Sequence, residues 1–327
     1  MDIRTGTGLS ICDTIAFMNY IVLDLEWNMG SKKEELKVMP FEIIEIGAVR
    51  LDPERNETGR FSRLVRPKVY KKMHWANKSI VHLENSDLKD ADGFEMVYSE
   101  FLAFCGDEPY IFCTWGDSDL TELQRNIYYF DCLPISEGPL EFLDVQKLNG
   151  YNEGSPKNRI SLEKAVEEYS IEENKGFHRA VNDAAYTAEV LKHIDRKYEI
   201  YTSFNTYHVP SSPDTEILKD YGSYVKYISR CFPGKPALLH NKKVRSLICP
   251  VCGAKLEKNL PLFSPNGKHY FTMGQCRMHG TVRSKIRIKK EEIRNLPYAV
   301  KTTRLIDDEE KTRLKQKYQK SISSKSE

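Results

Sequence analysis

The chain of 327 residues is 40% hydrophobic and 29% charged, a soluble globular composition long enough for two domains with sizeable cores. No apolar run approaches the roughly 20 residues of a membrane span, and no basic start with an apolar core marks a secretory signal, so a cytoplasmic location is expected. Net charge is +2, yet residues 1–234 carry −12 while residues 235–327, with 22 Lys and Arg against 8 Asp and Glu, carry +14; the basic part points to a polyanionic partner or to a solvated surface, and charge alone leaves both open.

Residues 1–18 show no period and read as an N-terminal extension, with Met18 as a candidate natural start. Tyr20–Leu25 is apolar and β-branched, the pattern of a buried strand. Glu42–Leu51 and Arg60–Arg66 alternate like strands, with a turn over Asp52–Gly59. Phe94–Cys105 has helical spacing, Tyr110–Thr114 is a short apolar strand, and Leu120–Tyr129 reads as a helix. Glu141–Val145 is a strand, Ser161–Tyr169 a helix opened by a Ser cap, and Arg179–Tyr198 a long amphipathic helix. Three strands followed by alternating helices and strands predict an α/β domain over 19–198, built on a mixed five-stranded sheet flanked by helices. Residues 199–240 are expected to be a linker, with a possible helix in Asp214–Cys231 before the break at Phe232-Pro233-Gly234. A small cysteine-bearing module follows over 241–300. Residues 301–327 form a charged tail, expected as a frayed helix or disordered.

Asp24 and Glu26 stand at i and i+2 in the first strand, so both carboxylates project from one face while Leu25 enters the core. Two such acids repel unless a cation neutralises them, although an isolated Asp-x-Glu is more often a surface pair. A second signal is Gly176-Phe177-His178-Arg179-Ala180-Val181-Asn182-Asp183. On one continuous helix Asp183 would lie about 140° from His178, at roughly 100° per residue. The two converge only if His178 sits on the loop before the helix. A third signal is Thr114-Trp115-Gly116-Asp117-Ser118-Asp119, which follows a strand and opens a helix. Asp117 or Ser118 can cap that helix, which leaves Asp119 at the sheet edge where α/β sites form.

With these residues in this order, the chain resembles the DEDDh group of 3′→5′ exonucleases, which have the ribonuclease H-like fold. That family carries an Asp-x-Glu on its first strand, an Asp opening a middle helix and a late His-x-Ala-x-x-Asp. The matching residues here are Asp24 and Glu26, Asp119, and His178 with Asp183. The phrases Leu-Asp-Leu-Glu-Trp-Asn and Thr-Trp-Gly-Asp-Ser-Asp look closest to the bacterial KapD-like branch, itself similar to histone-mRNA exoribonucleases. The resemblance implies a metal-dependent 3′→5′ exonuclease that releases nucleoside 5′-monophosphates. Asp24, Glu26, Asp119 and Asp183 would hold two Mg²⁺ or Mn²⁺ ions, and His178 would accept a proton from the attacking water. Trp27, where many proofreading members have Thr, weakens a DNA-proofreading reading and is a candidate nucleic-acid contact; the expected partner is single-stranded nucleic acid, RNA rather than DNA.

Cys249-Pro250-Val251-Cys252 and Cys276-Arg277-Met278-His279 have the paired spacing of a zinc ribbon, so Cys249, Cys252, Cys276 and His279 are expected to close one structural Zn²⁺ site. Tyr270–Met273 and Thr281–Ile288 read as strands flanking the second pair. Arg283, Lys285 and Arg287 alternate on one face and could bind phosphates, with Tyr270 and Phe271 nearby for stacking; a protein-docking ribbon is the rival reading. A DNA exonuclease and a non-catalytic nucleic-acid-binding regulator are the alternatives to an exoribonuclease.

Overall fold

The computed structural model describes residues 17–30, 39–74, 83–174 and 176–323. The expected N-terminal extension lies outside these except for Phe17 and Met18. The chain divides into two compact units; the first ends at Asn205, and the second comprises Glu137–Pro139 and the residues from Thr206 onward. Among the described residues no helix is long and apolar enough to cross a membrane.

The first unit opens with an antiparallel meander of β1 (Asn19–Met29), β2 (Phe41–Leu51) and β3 (Glu57–Leu64). Helices α1 (Asn85–Lys89) and α2 (Phe94–Cys105) lead to β4 (Tyr110–Thr114), α3 (Ser118–Tyr129) and β5 (Leu140–Asp144). Then come α4 (Val145–Asn152), α5 (Leu162–Glu168), α6 (Ala180–His193) and β6 (Ser203–Asn205). The sheet order is β3-β2-β1-β4-β5-β6, with β4 parallel to β1. It has six strands where five were expected. The extra strand spans only three residues, too few to show a period.

The strand β1 is buried on both faces, which is why its sequence is a continuous apolar run. Tyr20 and Val22 pack with Ala184, Ala188 and Leu191 of α6. Ile21, Leu23 and Leu25 pack with Phe101 of α2 and Leu120 and Leu123 of α3. Helix α6 stops at His193, short of the expected Tyr198, because long-range contacts end it. Ile194 turns extended, and the Asp195 side chain accepts from the Lys197 amide to start a 3₁₀ turn over Arg196–Tyr201. The buried Arg55 guanidinium donates to the Leu191 and Ile194 carbonyls at 2.6 and 2.7 Å and to Glu199 at 2.6 Å. It thereby satisfies carbonyls that the helix leaves without partners.

The second unit is a six-stranded sheet, larger than the expected ribbon. It contains β7 (Ile217–Asp220), β8 (Val225–Ile228), α7 (Lys235–His240), α8 (Lys242–Arg245), β9 (Lys258–Phe263), β10 (His269–Cys276), β11 (Gly280–Lys290), β12 (Pro297–Leu305) and α9 (Asp308–Ser323). The order is β7-β8-β12-β11-β10-β9. The linker with a possible helix in Asp214–Cys231 is therefore corrected: that stretch forms the β7–β8 hairpin, and 301–305 belongs to β12. The turn is made by Gly222, whose amide bonds the Asp220 carboxylate and whose φ of 75° suits glycine. One face of the sheet packs Tyr227, Ile286 and Ala299 against Leu238 of α7 and Val244 of α8. The other packs Phe263, Phe271 and Met273 against Leu314 and Tyr318 of α9, so Asp308–Ser323 of the expected charged tail is a packed helix.

Candidate active site and cysteine cluster

In β1, Leu25 enters the core while Asp24 and Glu26 project toward α6. Their register partners on β2 are Gly47 and Glu45. A Cβ at position 47 would lie 2.1 Å from the backbone of Ala180 and Val181, so a glycine is what lets the start of α6 rest on the sheet. Ala180 and Ala184, fully buried, complete the close approach. The first turn of α6 then delivers Asp183, and carboxylate oxygens of Asp24, Glu26 and Asp183 all lie within 4.8 Å of one another. At Glu26 and Trp27 the register slips, leaving Ile44 of β2 as an extra residue, a bulge of the kind that re-aims side chains near a site.

Asp119 stands in the first turn of α3, after β4, and is 5% exposed. It is outside the 4.8 Å group, yet its charge acts on both Asp24 and Glu26. The expected cap is absent: Asp117 occupies the N-cap position, but its side chain makes no capping bond. His178 lies on the loop before α6, with a left-handed φ of 65°, and its backbone amide donates to Asp183 Oδ2 at 3.1 Å. The geometric condition for His178 and Asp183 to meet is thus satisfied.

The acids crowd one another, with Arg179 the opposing charge at Glu26. Burial, then the charges of Asp119, Asp183, Glu26 and Glu45, hold Asp24 well above the usual carboxylate range. Burial and the Asp183 charge push Glu26 up to about 8. Burial raises Asp119 to about 7 and Asp183 to about 6, with the His178 amide opposing the rise at Asp183. Asp183 Oδ1 is buried and takes no hydrogen bond among the described residues. An all-oxygen set with an orphaned buried acceptor fits a hard divalent cation such as Mg²⁺ or Mn²⁺.

Two residues beside the site were not singled out from the sequence. The Glu45 side chain is fully buried and accepts from Arg179, with Nε–Oε2 at 3.0 Å and Nη2–Oε1 at 2.9 Å. This fork ties the residue after His178 to the strand beside Glu26. The available signal was an acid between Ile44 and Ile46, inside a buried strand. Trp27 is half-buried: its ring centroid is 5.4 Å from that of Phe41, and it packs on the apolar cluster of Leu23 and Leu25, on the face opposite the acids.

In the second unit, Cys249 Sγ and Cys276 Sγ are each 3.6 Å from His279 Nδ1, and Cys252 Sγ is 3.8 Å from Cys276 Sγ. All four donor atoms lie within 4.8 Å of one another. A tetrahedron with Zn–S bonds of about 2.3 Å has edges of about 3.8 Å, so the donors fit zinc in kind and spacing. Gly280 follows His279 with a φ of 89°, the left-handed turn the second pair requires. Backbone amides of Met278 and His279 hold the Cys276 thiol down to about 6, which favours the thiolate.

The expected row of three phosphate-binding cations is corrected at Arg283. Its guanidinium is half-buried and ion-paired with Glu310 of α9. Lys285 and Arg287 remain on that face, and Arg287 is exposed.

A family model described as exonuclease, of the RNase T type, matches residues 21–191, just over half the chain. The chain is 28% identical over 182 residues to the probable 3′→5′ exonuclease KapD of Bacillus subtilis, covering 54% of this chain and 86% of KapD. Among solved structures it is similar to a full-length 3′-exonuclease, at 17% identity and a TM-score of 0.48 over 54% of this chain and 81% of that one. It is also similar to Pop2p of S. pombe with Mg²⁺ and Mn²⁺ bound, at 15% identity and a TM-score of 0.41 over 56% and 85%.

Proposed function

The chain belongs to the RNase T exonuclease family and is a 3′→5′ exonuclease, and from that premise we propose an exoribonuclease whose site is the Asp24, Glu26, Asp119 and Asp183 set beside His178. The observation that carries the assignment is the convergence of Asp24, Glu26 and Asp183 within 4.8 Å, with Asp183 Oδ1 unsatisfied. Two Mg²⁺ or Mn²⁺ ions would be held by these carboxylates and would supply charge neutralisation and orientation of the reacting groups. His178 accepts a proton from the attacking water at an imidazole nitrogen. Arg179, gripped by Glu45, fixes the loop that presents that ring. The product is a nucleoside 5′-monophosphate.

RNA is taken as the substrate from the likeness to the KapD-like branch, and Trp27, where proofreading members of the family have Thr, weakens a DNA-proofreading role. The second unit holds one structural Zn²⁺ on Cys249, Cys252, Cys276 and His279, and contributes Lys285 and Arg287 to polynucleotide binding. Product analysis on matched, end-labelled RNA and DNA oligomers, with and without added Mg²⁺ or Mn²⁺, tests the proposal. The expected result is stepwise shortening from the 3′ end that requires the metal and is faster on RNA. Equal or faster cleavage of DNA would replace RNA as the substrate, and metal-independent cleavage would remove the assigned site.

A further inference from the structure

We propose that His269, Lys285, Arg287 and Lys317 form one phosphate-binding face, holding the backbone of a polynucleotide without reading its bases, with Lys317 supplied by the C-terminal helix. This rests on the reading that the second unit binds nucleic acid, and specifies how.

The register of β10 and β11 sets His269 opposite Arg287 and Phe271 opposite Lys285, so these side chains share a face. Helix α9 is anchored on the same face. Glu310 pairs with Arg283 and Arg304, and Leu314 and Tyr318 pack with Phe263 and Phe271. Anchored this way, the helix holds Lys317 Nζ 4.9 Å from the centroid of the Phe271 ring. The cations crowd one another. Lys285 is held below the usual lysine range by burial, then by Arg283, Arg287 and Lys317. His269 is lowered by burial, then by Lys285, Arg287, Lys317 and Lys268. Where Arg283 and Arg304 meet Glu310, none of Lys268, Lys285, Arg287 and Lys317 makes an ion pair among the described residues. Like charges held together without an acid are stabilised by an external polyanion.

The same geometry removes base stacking. Phe271 is 7% exposed and lies beneath Lys317. Tyr270 is on the opposite face, packed with the Leu238 and Ile286 cluster. Contact with the strand is thus through phosphates, on cations that recur about every 7 Å along β11.

The test uses the full chain carrying Asp24→Asn, so that oligomers survive, and fluorescence anisotropy over a range of salt. Oligo(U), oligo(A) and oligo(dT) of about 20 nucleotides should bind within about threefold of one another. Combined Lys285→Gln, Arg287→Gln and Lys317→Gln should weaken binding at least about tenfold and flatten the log–log salt slope by about 2, since each phosphate contact on a single strand contributes about 0.7. Lys317→Gln alone, at an exposed helix position, should flatten it by about 0.7. Lys242→Gln with Arg245→Gln, on α8 against the other face, should change neither. An unchanged slope in the triple variant overturns the proposal, as does a base preference above about tenfold. Binding of poly-glutamate with no binding of any oligomer overturns it in favour of an acidic protein partner. Hydrolysis of the p-nitrophenyl ester of thymidine 5′-monophosphate by the unsubstituted chain reports the first unit separately, so failure of the exonuclease reading and failure of this one are distinguishable.

Discussion

Gly47 and Ala180 touch backbone to backbone, since a Cβ on residue 47 would sit 2.1 Å from the Ala180 carbonyl carbon. Gly47 is also the register partner of Asp24. One missing methyl group therefore sets the distance between the strand that carries Asp24 and the helix that carries Asp183. Gly47→Ala must push α6 outward, because the clash is with backbone that cannot rotate away. The expected outcome is a loss of about 3 kcal/mol of stability from overpacking. Nuclease activity should fall at least about a hundredfold, as expected when a constellation is displaced by about 1 Å. Denaturant unfolding and initial rates check this, and wild-type rates in the Ala variant would mean that α6 does not set the site.

The Glu45–Arg179 pair predicts an asymmetry. Glu45 is fully buried, while Arg179 is 39% exposed and can reach water. Arg179→Ala strands a buried carboxylate next to Glu26 and should cost about 3–5 kcal/mol. Glu45→Gln leaves an arginine that hydrates, and should cost about 1 kcal/mol. Both should lower kcat with little change in KM, because the pair orients the His178 loop and does not touch substrate. Equal stability losses would count against this account, as would an effect confined to KM.

The four acids give the metal-free chain an inverted pH dependence. Unfolded carboxylates release their protons near pH 4, whereas the folded chain keeps those of Asp183, Asp119 and Glu26 up to about 6, 7 and 8. Between these limits the folded state binds more protons, so stability falls as pH rises. The metal-free Tm should drop from pH 5 to pH 8, and added Mn²⁺ should raise Tm more at pH 8 than at pH 6, because fewer protons must then be displaced. A metal-free Tm that rises across this window, or an Mn²⁺ increment that shrinks with pH, would contradict the arrangement.

Asp24, Glu26 and Asp119 were legible because strand alternation and the position after β4 are local properties. His178 and Asp183 were legible once a loop was allowed between them. Glu45 was hidden inside a strand whose apolar neighbours explained themselves, and its role appears only when Arg179, 134 residues away, folds against it. The end of α6 depended on Arg55, 136 residues from Leu191. The spacing of the Ile217–Ile228 hairpin fits a helix as well as strands, and only the turn at Asp220-Tyr221-Gly222 decides between them. What was missed lay in long-range pairing, which no local window contains.

The metal of the cysteine cluster would be structural. Cys249 and Cys276 are 1% and 3% exposed and pack with Leu247 and Val282, so their sulfurs are part of a core. Without zinc, two buried sulfurs and an imidazole sit together with nothing to bind, and the β10–β11 hairpin loses its staple. Metal analysis should find one zinc per chain, falling to none in Cys276→Ser. Chelation or that substitution should speed amide hydrogen exchange in β10 and β11 by about a hundredfold, while exchange in β1 and β2 stays as before. Unchanged protection in β10 after complete zinc removal would show that the cluster is not what holds this hairpin together.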